Sequence, residues 1–520
     1  MNEQPVTTSK RLVHNTFFNV VTLMAHAVVA FLLMRFFLSH LGEARYGVWL
    51  LIGGSIFRYG PLLNLGLNSA INRYIPVYRA RNDDDAVQRV ISTSLFFFAA
   101  LGIGLGVATL VIYFNVGSWF AAIKPELVGT ARVLVLIVGF CVACALPLQP
   151  STAVLSGLQR YDITNTIALV VLFVRTVLVV TLLSHGYGLL TAGLVFGLSE
   201  ISLRVPGHLF VRKLLPVTFL SLKKIDLRLL REMLAYGINT FLYGMGAVII
   251  LNASHVVIGI FLGAAEISQF AFAGAGVVLL SQLVQAATAA IKPAVSDLDA
   301  RNDHLRVKEI AFLTRKYCLL LIIPSGCFLI VMGRDFLGIW VGDQFDDPAI
   351  LDGMAVILTI LTAACCFMLA QHSNFLVLVG RGEHRIFGVL TVVTALLCVS
   401  ASVVSVRVLG MGLLGIAWSN LLPVLLSSGV ILPIYFNRKM HISTLENIRN
   451  VWQPALLGSL PAVLMIGLWK YLAPPGSWLE LGGVVAAAAI LTCVAAWFLS
   501  LTQVEQRRFA HILMRKKGRG

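Results

Sequence analysis

Arginine is out of place among leucines and valines unless something holds it there. Arg58 and Arg175 each fall some twelve residues into an apolar run. At 1.5 Å per residue that is a depth of about 18 Å, close to the middle of a bilayer. Insertion scales charge an ionisable side chain at that depth roughly 2.5–3.5 kcal/mol, so each one asks for a reason. Arg204 follows Glu200 by four residues, which places both on one face of a helix. A guanidinium binds phosphate oxygens through a forked pair of donors. Arginines that outnumber acids in the apolar core therefore suit an anionic headgroup such as pyrophosphate. Of 24 carboxylates only Glu200 sits at mid-membrane depth. Unpaired there it would take up a proton, so coupling to protons or sodium is left open at this residue.

Amides accompany the charges. On a continuous helix at 100° per residue, Arg58, Pro61, Asn64, Asn68 and Asn72 share an arc of about 120°. Gln282, Gln285, Thr288 and Lys292 form a second stripe, and Gln371-His372-Ser373-Asn374 a third. These stripes either line a polar path or bond helices to one another. Arg35 and Arg132 lie near the ends of their runs, where long side chains snorkel to the headgroups.

The elements that position these residues are apolar runs at approximately 16 to 38, 46 to 72, 90 to 115, 128 to 150, 163 to 184, 187 to 210, 233 to 261, 265 to 290, 311 to 333, 351 to 379, 386 to 407, 411 to 436, 453 to 473 and 477 to 501. Fourteen spanning helices use nearly the whole chain. With 58% apolar and 12% charged residues and a mean hydropathy of +0.87, no stretch is left for a soluble domain. Outer-membrane barrel strands alternate polar and apolar residues, and these runs do not. The fold expected is an all-α polytopic membrane protein.

Forty Lys and Arg against 24 Asp and Glu leave a net charge of +16. With the N-terminus inside, the loops on that side carry most of the cations, from Arg73 and Arg79 to Arg438 and Arg449, and the basic stretch from Arg507 to Arg519 joins them. The opposite loops hold little more than Arg45, Lys124 and Arg334. That asymmetry places both termini in the cytoplasm. It gives no basic face on a soluble module, so nucleic acid is not an expected partner. The first run has no small-residue cleavage site and reads as a retained helix. Cys141 and Cys144 form a CxxC without a second pair or a histidine at zinc spacing, and all eight cysteines read as small apolar filler.

The chain repeats itself. Ala70-Ile71 recurs as Ala290-Ile291 and Ala80-Arg81-Asn82-Asp83 as Ala300-Arg301-Asn302-Asp303, both at an offset of 220. Leu41-Gly42 is answered by Leu262-Gly263, and Gly186-Tyr187-Gly188-Leu189-Leu190 by Gly410-Met411-Gly412-Leu413-Leu414. Segments 1 to 6 and 7 to 12 therefore read as two parallel copies of a six-helix lobe, with segments 13 and 14 as an added pair packed outside the core. The divisions expected are a cytoplasmic N-terminus at 1–15, an N-lobe at 16–210, a basic linker at 211–232, a C-lobe at 233–436, a loop with the terminal helix pair at 437–501 and a basic tail at 502–520.

Asn15, Arg35, Leu41-Gly42, Tyr46-Gly47-Val48-Trp49, Leu65-Gly66-Leu67 and Gly157-Leu158-Gln159-Arg160-Tyr161-Asp162 together resemble bacterial O-antigen and exopolysaccharide repeat-unit flippases. These form the polysaccharide transporter family of the multidrug/oligosaccharidyl-lipid/polysaccharide exporter (MOP) superfamily. The resemblance implies a V-shaped pair of six-helix lobes that turns undecaprenyl-pyrophosphate-linked oligosaccharide from the cytoplasmic to the outer leaflet of the inner membrane by alternating access. It implies a polyprenyl-pyrophosphate-linked glycan as cargo, anionic lipids as surroundings, and a polymerase or chain-length machinery as partners. No cofactor is expected.

Two rival functions stay in view. A multidrug antiporter for cations would want acids in the core, and the core is short of them. An enzyme acting on polyprenyl-linked sugars would need acid/base groups or metal ligands facing water. The longest outer loop, 334–350, carries Asp335, Asp343, Asp346 and Asp347, which read as a solvated loop. His304, His384 and His441 stand apart in polar loops.

Overall fold

The computed structural model describes residues 5–120, 123–215, 221–288, 291–345, 347–383 and 385–507. Side chains are described from Val21 onward, except those of Arg58, Pro61, Asn239, Thr240, Lys292, Pro293, Asp297 and Ala300. The Arg58 and Lys292 side chains, Asp346, His384 and the basic tail beyond Arg507 thus lie outside the described residues.

Among the described residues the chain is helical without strands, and thirteen helices are long and apolar enough to cross a membrane. In chain order the elements are α1 (Pro5–Leu41), α2 (43–80, in pieces), α3 (Asp84–Trp119), α4 (Pro125–Gly157), α5 (Tyr161–Ser184), α6 (Leu189–Leu214), α7 (Leu227–Phe261), α8 (Ala264–Thr288, followed by Ile291–Ala300), α9 (His304–Val331), α10 (Pro348–Gly380), α11 (Arg385–Arg407), α12 (Gly412–Lys439), α13 (Thr444–Leu472) and α14 (Trp478–Ser500).

The second segment departs from expectation. It is not one helix but a series: Glu43–Trp49, a π turn at Leu50–Gly54, Ser55–Tyr59, a 3-10 turn at Gly60–Asn64 and, after a break, Leu67–Ala80. The break is two left-handed residues, Leu65 at φ 45° and Gly66 at φ 81°. Asn64 turns its side chain back to accept the Gly66 N–H at 2.7 Å, a local bond that competes with helix continuation. The arc shared by Arg58 and the three asparagines assumed an unbroken helix, and the break removes it.

The sequence repeat has a conformational meaning. Asn82 and Asn302 are both left-handed, at φ 54° and 57°. The N–H of Asp83 closes on Tyr78 and that of Asp303 on Leu298, each at 3.0 Å. The two aspartates then cap α3 and α9, accepting the N–H of Ala86 and of Arg306. Gln159 and Gly382 end α4 and α10 in the same way, at φ 57° and 73°. Matching helices also bend at matching places, α4 through a 3-10 turn at Leu146–Leu148 and α10 at Gln371.

Two compact units result: Met1–Ala271 with Arg385–Ile416, and Phe272–His384 with Ala417–Gly520. The first unit takes in α7 with the start of α8, and α11 with the start of α12. Lipid tails are as apolar as leucine, so close backbone approach has to replace the hydrophobic drive between helices. In the first unit Gly246 of α7 lies against the Thr391 backbone of α11, and Gly66 against Gly237 of α7. The buried core there joins Ile71 and Ile75 of α2, Val90 and Phe98 of α3, Leu155 of α4 and Met233 of α7. In the second unit Ile466 of α13 and Val484 of α14 pack on Met332 at the end of α9.

Candidate functional site

The first unit assembles its polar site on α6. Glu200 and Arg204 are one turn apart, and Arg204 Nη1 donates to Glu200 Oε2 at 2.6 Å and to the Glu200 carbonyl at 2.7 Å. Arg204 Nε donates to Gln149 Oε1 at 2.8 Å. Gln149 is there because α4 bends immediately before it; without the 3-10 turn the same side chain would sit at another angle. Both ionised side chains are sheltered, at 17% and 20% exposure. Glu200 is thus paired with Arg204.

Arg175 reaches the same neighbourhood from α5. Its guanidinium carbon stands 4.5 Å from the centre of the Phe196 ring, and the Glu200 charge bears on it. A cation over an aromatic face is held electrostatically without its N–H donors being used up. The Arg175 Nε is buried and has no hydrogen-bond partner. Phe196 is itself wedged among rings: Trp49 meets it edge-on at 4.8 Å, and Phe57 and Phe37 lie at 6.1 Å. A cation with an unmet donor can take one more partner, and an anion would satisfy both charge and donor.

The asparagines of α2 part company. Asn64 is engaged with the Gly66 N–H, Asn68 has a buried Oδ1 without a partner, and Asn72 is exposed. In the second unit, Gln371 at the α10 bend accepts from Asn374 Nδ2 at 2.7 Å. Asn374 is fully buried and its Oδ1 is unmet, as is Gln282 Oε1. Gln285 is exposed. Arg175, Glu200 and Arg204 therefore come together within one unit, and Gln371 with Asn374 within the other.

Sequence reading passed over three groups. Arg315 and Lys316 are buried side by side on α9. Arg315 donates to Asn437 Oδ1 at 3.1 Å, and Lys316 to both oxygens of Glu505 at 2.6 and 2.9 Å. His208 on α6 lies 3.1 Å from the hydroxyl of Ser151 on α4. The expected start of segment 9 at 311 put the two cations at a helix end, whereas α9 begins at His304. The spacing of four from Arg204 to His208 was available as a signal. No group of three His, Cys, Asp or Glu side chains suited to a metal occurs among the described residues.

A profile of the family described as "Polysaccharide biosynthesis protein" matches residues 62–349, more than half of the chain. The chain belongs to that family. No curated protein matches the sequence. Among solved structures, the chain is similar to the lipid II flippase MurJ in an inward closed conformation, at 14% identity and a TM-score of 0.65, covering 95% of this chain and 98% of that one. It is similar to an inward-facing MATE-family multidrug resistance transporter of the MOP superfamily, at 14% identity and a TM-score of 0.62, covering 82% and 94%. A MOP superfamily transporter from Pyrococcus furiosus, whose reversed pocket polarity suggested a different function, matches at 16% identity and a TM-score of 0.58, covering 83% and 96%. At such identities the shared property is the fold of MOP-superfamily transporters.

Proposed function

We propose that this protein is a flippase that carries polyprenyl-pyrophosphate-linked oligosaccharide repeat units across the bacterial cytoplasmic membrane by alternating access, with both termini in the cytoplasm. The observation that carries the reading is Arg175, a sheltered cation clamped on Phe196 with an unmet donor. Arg58, Arg175 and Arg204 are the proposed contacts of the pyrophosphate. Asn64, Asn68 and Asn72, with Gln282, Gln285, Gln371 and Asn374, are proposed to meet the sugars. Glu200 is proposed to couple proton movement to turnover, since it is held by Arg204 and sits in the field of Arg175. Sodium coupling is the alternative. The family description and the fold shared with a lipid II flippase support a glycan-linked lipid as cargo. The reading needs no bond made or broken by the protein. The fold shared with a multidrug transporter keeps cation antiport as the rival, but a cationic site with an unmet donor favours an anion.

The test is Arg175→Ala. Loss of one charge-assisted contact should weaken binding of polyprenyl pyrophosphate in nanodiscs by about ten- to a hundred-fold, roughly 1.5–3 kcal/mol. Binding of the uncharged polyprenol should change little. Arg175→Lys should rescue only in part, because a point charge lacks the fork. Glycan export in cells, with insertion and abundance verified, should follow the binding order. Undiminished binding and export in Arg175→Ala would overturn the reading.

A further inference from the structure

Between α6 and α7 the chain is bonded down on one side and open on the other. The Ser221 N–H donates to Ser92 Oγ at 3.2 Å and the Asp226 N–H to Thr93 Oγ1 at 3.0 Å, and both hydroxyl side chains are buried on α3. Lys224 pairs with Asp85 at the start of α3. Asp226 turns back to cap α7, accepting the N–H groups of Arg228 and Leu229 at 2.8 and 3.1 Å. The polar groups on that side are thus met within the first unit. What the segment leaves outside is of another kind. Leu222 is 73% exposed and Leu227 66%, and Lys223, Arg228 and Arg231 are exposed beside them. Among the described residues none of these three cations is ion-paired with a carboxylate. Over 221–232 the only exposed acid is Glu232.

We infer that the outer side of this segment is a binding surface for the headgroups of anionic phospholipids. Because α6 and α7 are consecutive spanning helices, the chain between them lies at one surface of the membrane. With both termini inside, as proposed above, that is the cytoplasmic surface. Exposed apolar side chains run up to it on α6, at Leu209 and Phe210, and resume at Leu222 and Leu227. Leucine and cation side by side fit the edge of a bilayer, which is apolar below and carries phosphate above. Each cation near an anionic leaflet strengthens the hold by about fivefold, and Glu232 weakens it by about as much. The bonds to Ser92 and Thr93 fix the backbone before any lipid arrives, so little ordering cost is left for binding. A lipid held here ties the start of α7 to the membrane surface together with α3.

The photoreactive residue p-benzoyl-phenylalanine, placed at Leu222 in the full chain, captures on irradiation whatever covers the segment. In nanodiscs of equal phosphatidylglycerol and phosphatidylcholine, peptide mass spectrometry counts the adducts of each lipid. Phosphatidylglycerol adducts should exceed phosphatidylcholine adducts by about five- to twenty-five-fold. Lys223→Gln, Arg228→Gln and Arg231→Gln should each lower that ratio by up to about fivefold, and so should about 0.5 M salt. Glu232→Gln should raise it by about as much, a gain that loss of folding does not mimic. A probe at Leu227 serves if the one at Leu222 prevents insertion. Equal adducts of the two lipids, unmoved by these changes of charge, overturn the inference. Adducts to protein alone, on irradiation in cells, overturn it in favour of a soluble partner. Both leaflets of the nanodisc have one composition, so the outcome does not depend on which side of the protein faces the cytoplasm. It does not depend on the cargo either, which is tested separately by polyprenyl pyrophosphate binding in Arg175→Ala.

Discussion

Lys316→Met should lower the melting temperature of the purified protein more than any other single change of charge described above. The Lys316 ammonium is 4% exposed and the Glu505 carboxylate 8%, and removing one partner strands the other charge in a place without water. Such losses cost about 3–5 kcal/mol, whereas replacing both partners by apolar chains of similar size is often neutral or better. Lys316→Met with Glu505→Met should therefore recover most of what either single change loses. The pair also has a pH signature. Burial pulls the Glu505 carboxyl up, but Lys316, the Thr502 N–H and hydroxyl and the Tyr317 hydroxyl together hold it below the ordinary glutamate range. A carboxyl lowered in the folded state stabilises above its unfolded pKa, and that contribution disappears as the pH falls through the lowered value. Melting curves in detergent from pH 7 down to 3 should show the unmutated protein losing stability over that window, and the double Met variant losing less. A double variant that loses the sum of what the two single variants lose would mean that the two charges do not depend on each other.

Gly66→Ala should be nearly as damaging, for a different reason. Gly66 is left-handed at φ 81°, and a Cβ on it would run into the backbone of Gly237, just as one on Gly237 would run into Gly66. The left-handed backbone costs a side chain roughly 1–2 kcal/mol, and overpacking adds about 1–3 kcal/mol. Gly237→Ala meets only the second penalty, since its helix geometry is ordinary. The order of melting temperatures should be unmutated, Gly237→Ala, Gly66→Ala. Thermal inactivation followed by size-exclusion chromatography would rank them, and a Gly66→Ala protein as stable as the unmutated one would show that α2 and α7 do not touch here.

What could be read in the sequence follows the range of the forces involved. Spanning helices are set by local apolarity over twenty residues, so their number and approximate ends were visible. The Asn-Asp pairs at 82–83 and 302–303 were visible as a repeat because a left-handed residue followed by a cap demands those residue types. Arg204 beside Glu200 needed only the helical period. The break in α2 was harder: Leu65 is no turn former, and the close approach next to it joins Gly66 and Gly237, residues 171 positions apart. Lys316 and Glu505 are separated by 189 positions, and no periodicity relates them. The ring under Arg175 was likewise hidden, because Phe196 is one phenylalanine among 30.

The π turn at Leu50–Gly54 settles which rings can gather around that phenylalanine. In an ordinary α-helix the eight residues from Trp49 to Phe57 overshoot two full turns by about 80°, and the two rings would point apart. Bonding from residue i to i+5 fits about one more residue into a turn. Eight residues then close almost two whole turns. Trp49 and Phe57 accordingly stand 6.2 Å apart, and both lie against Phe196. The chain has in effect inserted one residue into a helix without adding a loop, and used it as a vernier. Removing any one of those five residues would return the segment to an ordinary α-helix in which seven residues cover about 700°, so Trp49 and Phe57 would still share a face. Straightening the turn with all five residues kept would instead swing Trp49 away from the ring on which Arg175 rests by roughly a quarter of a revolution.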